Sequence, residues 1–360
     1  MKKDTVFPPA PFTVGVNLSG WLEHRSADDI RADLFSRKDF EDIRSLGCDV
    51  IRLPIHFERF CDPAGGYEIP PKIMDILDRA ASWAEALDMR IIFDIHNTTH
   101  ADSATPADVE NILLPVWEQL AAHCKNRFPN VIFEVMNEPH GIDTARWNRI
   151  VLNVFRRIRS LDADRYIVVG GANWNSLEGM KALPAFEDSR VIYTFHFYDP
   201  HTFTHQGAPW CHMERVTGIP FPYDPERMPP MPDHPTETEE RCFRNYPAEG
   251  TLEAVRRQFE EFSRFSAERQ APVFCGEFGC NMFAVGNAER INWYRIVTGL
   301  MEEYRVPRIS WDYYGGFGLF TRKPFAERRR PEFPGDLNGG LLEAMRLKNP
   351  LASGAAPSSL

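Results

Sequence analysis

Eight strand-length apolar runs, most of them separated by amphipathic helical stripes, constrain this 360-residue chain more than any other feature. The runs are Thr13 to Leu18, Val50 to Ile55, Arg90 to Ile95, Val131 to Met136, Tyr166 to Gly170, Val191 to Phe197, Pro272 to Phe278 and Arg308 to Asp312. Among the stripes, Ile73, Ile76, Leu77, Ala80, Trp83, Ala84 and Leu87 recur at spacings of three and four and paint one helical face, with Pro70 and Pro71 suited to its entry. Similar stripes begin at Val109, Trp147, Leu252 and Ile291. Such alternation either closes into a barrel or opens into a doubly wound sheet. Polar residues favour closure. Arg52, His96, Asn137, Glu138, His196, Tyr198, Glu277 and Trp311 all stand at or near the C-terminal ends of runs, the edge where a barrel gathers its functional groups from many strands.

The expectation is therefore an α/β chain forming one (β/α)8 TIM barrel over residues 1–350. A proline-rich insertion, 199–250, lies between strand 6 and helix 6, and a flexible tail covers 351–360. The insertion concentrates proline, most densely at Pro229-Pro-Met-Pro232, so it reads as mostly irregular, a wall or lid on the catalytic face. Net charge is −10, and Arg328-Arg329-Arg330 is the one basic block, so a nucleic-acid partner is not expected. No segment reaches membrane-spanning length, and the N-terminus lacks the apolar core of a signal peptide. As written the chain reads as cytoplasmic, or as secreted or periplasmic if a leader was removed, and as a monomer. Its seven cysteines form no repeating framework and read as free thiols.

Chemistry concentrates in two glutamates. Glu138 lies in Val131-Ile-Phe-Glu-Val-Met-Asn-Glu-Pro139, a run apolar through Met136 except for Glu134; Glu277 lies in Pro272-Val-Phe-Cys-Gly-Glu-Phe-Gly279. Two carboxylates displayed at strand ends fit the acid/base and nucleophile of glycoside hydrolysis. Each has a bland alternative: Glu138 could open a helix before Pro139, and Glu277 could be a rim carboxylate paired with Arg52. His96 and His196 could likewise be structural. Metal coordination is the competing use of the histidines, with His201, His205, Cys211 and His212 in the insertion, but no tight ligand spacing stands out and no metal or cofactor is expected. Trp311, Trp174, Trp21 and Trp210 could offer aromatic faces to sugar rings.

Taken together, these residues resemble glycoside hydrolase family 5, the large cellulase family of clan A, over nearly the whole chain. The resemblance is carried by the arginine of Ile51-Arg-Leu-Pro54, the histidine of Asp94-Ile-His-Asn97, Asn137-Glu138, His196 and Tyr198, Glu277, and the tryptophan of Ser310-Trp-Asp312. Gly15-Val-Asn-Leu-Ser-Gly-Trp21, Asp199-Pro-His-Thr-Phe-Thr-His-Gln206 and Phe274-Cys-Gly-Glu-Phe-Gly279 resemble the compact bacterial endoglucanase C type in particular. The resemblance implies Glu138 as acid/base and Glu277 as nucleophile of a retaining double displacement. It also implies Asn137 on the sugar 2-hydroxyl, Arg52 and Tyr198 on the nucleophile, His196 beside the acid/base, and His96 and Trp311 on the sugar in subsite −1. Asn97 stands where many relatives have a second histidine, and Trp174 replaces a smaller polar residue, so both bear on substrate choice. A β-1,4- or mixed-linkage glucan, or its oligosaccharides, is the implied substrate. β-Mannan, β-1,3-glucan, exo action on β-glucosides and an inactive glycan-binding barrel stay open as alternatives.

Overall fold

The computed structural model of the chain describes residues 9–96, 104–321 and 330–352; Asn97, Arg328, Arg329 and the tail from residue 353 lie outside the described residues. Eight parallel strands close into a barrel in sequence order. They are β1 (Val14–Asn17), β2 (Val50–Ile55), β3 (Arg90–Ile95), β4 (Val131–Glu134), β5 (Ile167–Gly170), β6 (Val191–Phe197), β7 (Val273–Phe278) and β8 (Arg308–Ser310). Each expected run contains one strand. Three runs end sooner than their apolarity implied: Leu18 lies beyond β1, Val135 and Met136 lie beyond β4, and Trp311 and Asp312 lie beyond β8.

Helices cover the outside. The Ile73 to Ala84 stripe is the buried face of Pro71–Ala86, which takes proline into its first turn, where the missing N–H costs nothing. Three fully buried tryptophans fasten the shell to the catalytic edge of the barrel. Indole N–H groups of Trp117, Trp147 and Trp293 donate to the carbonyls of Val135 (3.0 Å), Gly170 (2.9 Å) and Asp199 (3.1 Å). Each indole thus buries its ring without leaving its donor unpaired.

The barrel interior is layered. Its bottom is an apolar cluster of Val50, Ile92, Ile132, Val168, Ile192, Phe274 and Ile309, closed from below by Phe12, whose ring meets Phe274 edge-on at 5.1 Å. Two residues further along five strands lie Asn17, Arg52, Asp94, Glu134 and Thr194, all buried. The apolar layer supplies stability, and the polar layer above it is the floor of the catalytic face.

β7 departs from regular pairing. Phe195 pairs with Cys275, but His196 then pairs with Glu277, skipping Gly276. In an unbroken strand Glu277 would share the outward phase of Cys275; the bulge turns it inward beside His196. Glycine suits the skipped position because a Cβ there would lie 2.7 Å from Thr194 Oγ1 and 3.1 Å from His196 Nε2.

The insertion is more ordered than its prolines implied. It contains a helix, Glu237–Glu249, begun by a capping box in which Thr236 and Glu239 satisfy each other's backbone N–H groups. Pro247 falls inside this helix, while the denser prolines precede it. Arg215 pairs with Glu239, and Gln206 exchanges bonds with Ile219, tying the irregular part together. Asn281, beyond β7, bonds Thr204 and Gln206 and fixes the insertion to the neighbouring loop.

Candidate active site

Arg52 organises the polar floor. Its guanidinium is fully buried and grips Glu134 with two bonds, Nε to Oε2 at 2.7 Å and Nη2 to Oε1 at 2.9 Å. Nη2 also meets Asn137 Oδ1 at 2.8 Å and Asp94 Oδ2 at 3.0 Å. Nη1 is left for Asn17 Oδ1 at 2.9 Å and Glu277 Oε1 at 2.8 Å. A planar fork of donors suits this division, which a lysine could not reproduce.

Glu277 takes its second bond from the Tyr198 hydroxyl, 2.8 Å from Oε2. Glu138 meets His196 Nδ1 at 2.5 Å, and the same nitrogen lies 3.5 Å from Glu277. Carboxylate oxygens of Glu138 and Glu277 lie within 4.8 Å of each other. Glu138 sits at φ 40°, a left-handed conformation rare for a glutamate and typical of residues that the surrounding fold holds in place for function. Its side chain keeps 20% exposure, against 6% for Glu277, so the two carboxyls face the cleft unequally.

Burial raises both carboxyls, each to about 7, and at Glu277 the neighbouring Glu138 adds to the rise. Two carboxyls this close share their proton. Glu277 receives donors from both Arg52 and Tyr198, whereas Glu138 has no arginine donor. Burial also lowers His196, to about 4, and His96 well below its usual range, so both rings are neutral. The amide nitrogens of Asn175 and Asn137 lie 3.4 Å from the Nε2 atoms of His196 and His96 respectively. Those nitrogens accept, and Nδ1 carries the hydrogen in each ring. His96 donates it to Asp94 at 2.7 Å and stacks on Trp311 at 5.7 Å.

Residues 18–316 match the sequence profile of the cellulase family, glycosyl hydrolase family 5. The chain belongs to glycosyl hydrolase family 5. Endoglucanase C of Acetivibrio thermocellus is 28% identical over 328 residues, spanning 84% of this chain and 91% of that protein. Cellodextrinase A of Ruminococcus flavefaciens is 24% identical over 82% of this chain and 83% of its own length. In fold, the chain resembles Thermotoga maritima Cel5A, solved with a mannotriose substrate, at a TM-score of 0.75 and 24% identity over 93% of this chain and 97% of that one.

As a family 5 hydrolase the chain acts by the retaining mechanism general to that family, and the carboxyl spacing agrees with it: retaining pairs stand about 5–5.5 Å apart, inverting pairs about 6.5 Å or more. The eight residues expected at the site join in one connected set of contacts. Trp174 borders it beyond Glu138: its backbone N–H donates to Pro139 O at 3.1 Å, its ring stacks on His140 at 3.4 Å, and it is 38% exposed. Trp210 is exposed in the insertion, near His205 and Phe317. Trp21 is a correction. It is fully buried between Phe35 and Trp83, stacked on the latter at 6.4 Å, and offers no face to a ligand. Among the described residues, His201, His205, Cys211 and His212 do not converge as ligands.

Sequence reasoning gave no role to Glu134 or Asp94, although each interrupts an otherwise apolar run, which was the available signal. It also missed Glu23, whose Oε2 accepts from Gly20 N–H at 2.5 Å in the loop after β1. Burial, with Asp312, Glu277 and Asp94 adding to it, raises Glu23 to about 8. Nothing in the sequence around Glu23 marked it.

Proposed function

We propose that this family 5 hydrolase is an endo-β-1,4-glucanase acting on soluble β-glucans and their oligosaccharides, as a monomeric barrel with the 199–250 insertion as one wall of its cleft. The observation that carries the reading is the inward-facing pair Glu138 and Glu277 within 4.8 Å of each other, one with two donors to hold its charge and one without the arginine. The endoglucanase and cellodextrinase names of the relatives support β-1,4-glucan and its oligosaccharides as the substrate class.

Glu277 attacks the anomeric carbon as Glu138 protonates the departing glycosidic oxygen. Bond formation removes the charge of Glu277, so the acidity of Glu138 rises and it can then draw a proton from the water that releases the sugar. Arg52 and Tyr198 keep Glu277 ionised and aimed; the Nδ1 hydrogen of His196 occupies one oxygen of Glu138, leaving the other for the leaving group. Asn137, held to Arg52, reaches the 2-hydroxyl, and His96 with Trp311 supports the sugar in subsite −1. Trp174 follows Glu138 on the leaving-group side and offers a stacking face to the departing sugar; Trp210 extends the rim.

The test is product release from carboxymethyl cellulose, barley β-glucan, β-mannan, β-1,3-glucan and cello-oligosaccharides, with the first-formed anomer read by proton NMR. Internal cleavage of the β-1,4-containing glucans with β products is expected. An α product removes the nucleophile role from Glu277, and preference for mannan, for β-1,3-glucan or for single terminal glucosyl units overturns the substrate assignment. Light scattering reads the oligomeric state, with one chain per particle expected.

A further inference from the structure

The mechanism leaves two carboxyls of the buried polar layer, Asp94 and Glu134, without a task. Glu134 sits in the polar layer below the catalytic pair, the last residue of β4 and four residues before Glu138, with no exposed surface. Both its oxygens are committed to Arg52, at 2.7 and 2.9 Å. The guanidinium is thereby held by one edge, and the opposite nitrogen, Nη1, is the one that reaches Glu277.

We propose that Glu134 is a positioning residue for the hydrolysis, acting through Arg52: it fixes which edge of the guanidinium meets Glu277, and it places a permanent negative charge beneath the catalytic pair. This deepens the retaining-hydrolase reading and rests on it.

Arg52 contacts three buried carboxylates at once, Asp94, Glu134 and Glu277. A guanidinium facing Glu277 alone would over-stabilise its anion and weaken it as a nucleophile, because each nearby positive charge favours the ionised form. Glu134 offsets that charge without touching substrate. A bidentate pair with an arginine that cannot lose its proton keeps Glu134 ionised despite burial, which pushes its carboxyl upward. Its field reaches Glu138, where it favours the protonated acid.

The charged and titratable groups facing the pair come from every side. Arg52 of β2 is the cation, and His196 of β6, His96 beyond β3 and Tyr198 beyond β6 are neutral. His140 beyond β4 faces Glu138. The acids are Asp94 of β3 and Glu134 of β4, with Glu23 and Asp312 from the loops after β1 and β8. Glu134 differs from the other acids in giving both oxygens to the arginine.

The experiment compares wild type, Glu134→Gln and Glu134→Asp by kcat and KM for cellotetraose across the pH range, with folding checked by circular dichroism. Removing the charge lets both catalytic carboxyls ionise more easily, so in E134Q both limbs of the pH profile move toward acid by about one pH unit. In the same variant kcat falls about 10- to 100-fold with KM little changed, as expected when an interaction made in the transition state is lost. E134D keeps the charge but shortens the grip, so its kcat falls while its limbs stay in place. Loss of rate in E134Q with wild-type limbs makes Glu134 a packing residue and overturns the inference. A wild type inactive on every glucan overturns the parent reading instead. If E134Q does not fold, 13C NMR of wild type with labelled glutamate carboxyls, assigned by comparison with E134D, decides it: a Glu134 signal that titrates between the two limbs overturns the inference, and one that stays ionised supports it.

Discussion

Burial that raises Glu138 to about 7 carries a cost in stability that depends on pH. The folded protein favours the protonated form relative to the unfolded chain, where a glutamate titrates near 4.5. That contribution is complete below about 4.5 and is lost as pH rises through about 7. Glu138→Gln is neutral at every pH. Its melting temperature should exceed wild type by a few degrees at pH 8 and match it at pH 4, as read by scanning calorimetry, while hydrolysis collapses. Tyr198 makes a different kind of contribution, a single O–H donated to a charged carboxylate. Tyr198→Phe should lower kcat about 10- to 100-fold, the range of a lost hydrogen bond to a charged group, and should move the acid limb of the rate profile to higher pH because Glu277 loses a donor to its anion.

Secondary-structure elements explain why some of the site was legible in the sequence and some was not. Strand runs and helical stripes follow from burial and periodicity, which are local, so all eight strands and the five striped helices fall where the pattern puts them. The helix Glu237–Glu249 was overlooked because proline counting outweighed the Thr236 to Glu239 capping signal at its start. The inward turn of Glu277 depends on how β7 registers against β6, a long-range property that alternation within β7 alone would have misread. Trp21 shows the reverse error: a tryptophan near a strand end can be core or platform, and only its neighbours decide.

The loop after β5 illustrates what an element can store. Asn173, Trp174 and Asn175 lie consecutively at φ 65°, 63° and 51°, all left-handed, and Asn175 is buried against His196. A β-carbon in this region costs roughly 1–2 kcal/mol per residue. Trp174→Gly relieves that cost but gives up the stack on His140, so the melting temperature should change by only a few degrees, while KM for cellotetraose rises about 3- to 10-fold from loss of the aromatic face. A variant that loses stability and keeps KM would mean that Trp174 packs the loop and does not meet sugar.

At the scale of the whole molecule the barrel separates its stabilising and reactive layers. The lower interior is apolar and closed by Phe12; the layer above is polar and held by Arg52. Phe12→Ala should cost about 3–5 kcal/mol in urea unfolding, the usual range for emptying a buried aromatic site. Below the unfolding transition its kcat should stay near wild type, since Phe12 touches the apolar layer and not Arg52 or the glutamates.

Phe12 also fixes where the chain enters. It reaches the barrel from beneath, and near the other end the Lys348 N–H donates to Leu46 O at 2.8 Å, at the foot of the helix that precedes β2. Both ends of the described chain therefore leave from the face opposite the glutamates. A bead, a fibre-anchoring module or a second enzyme joined beyond the described residues would be reached from the side of the barrel opposite Glu138 and Glu277.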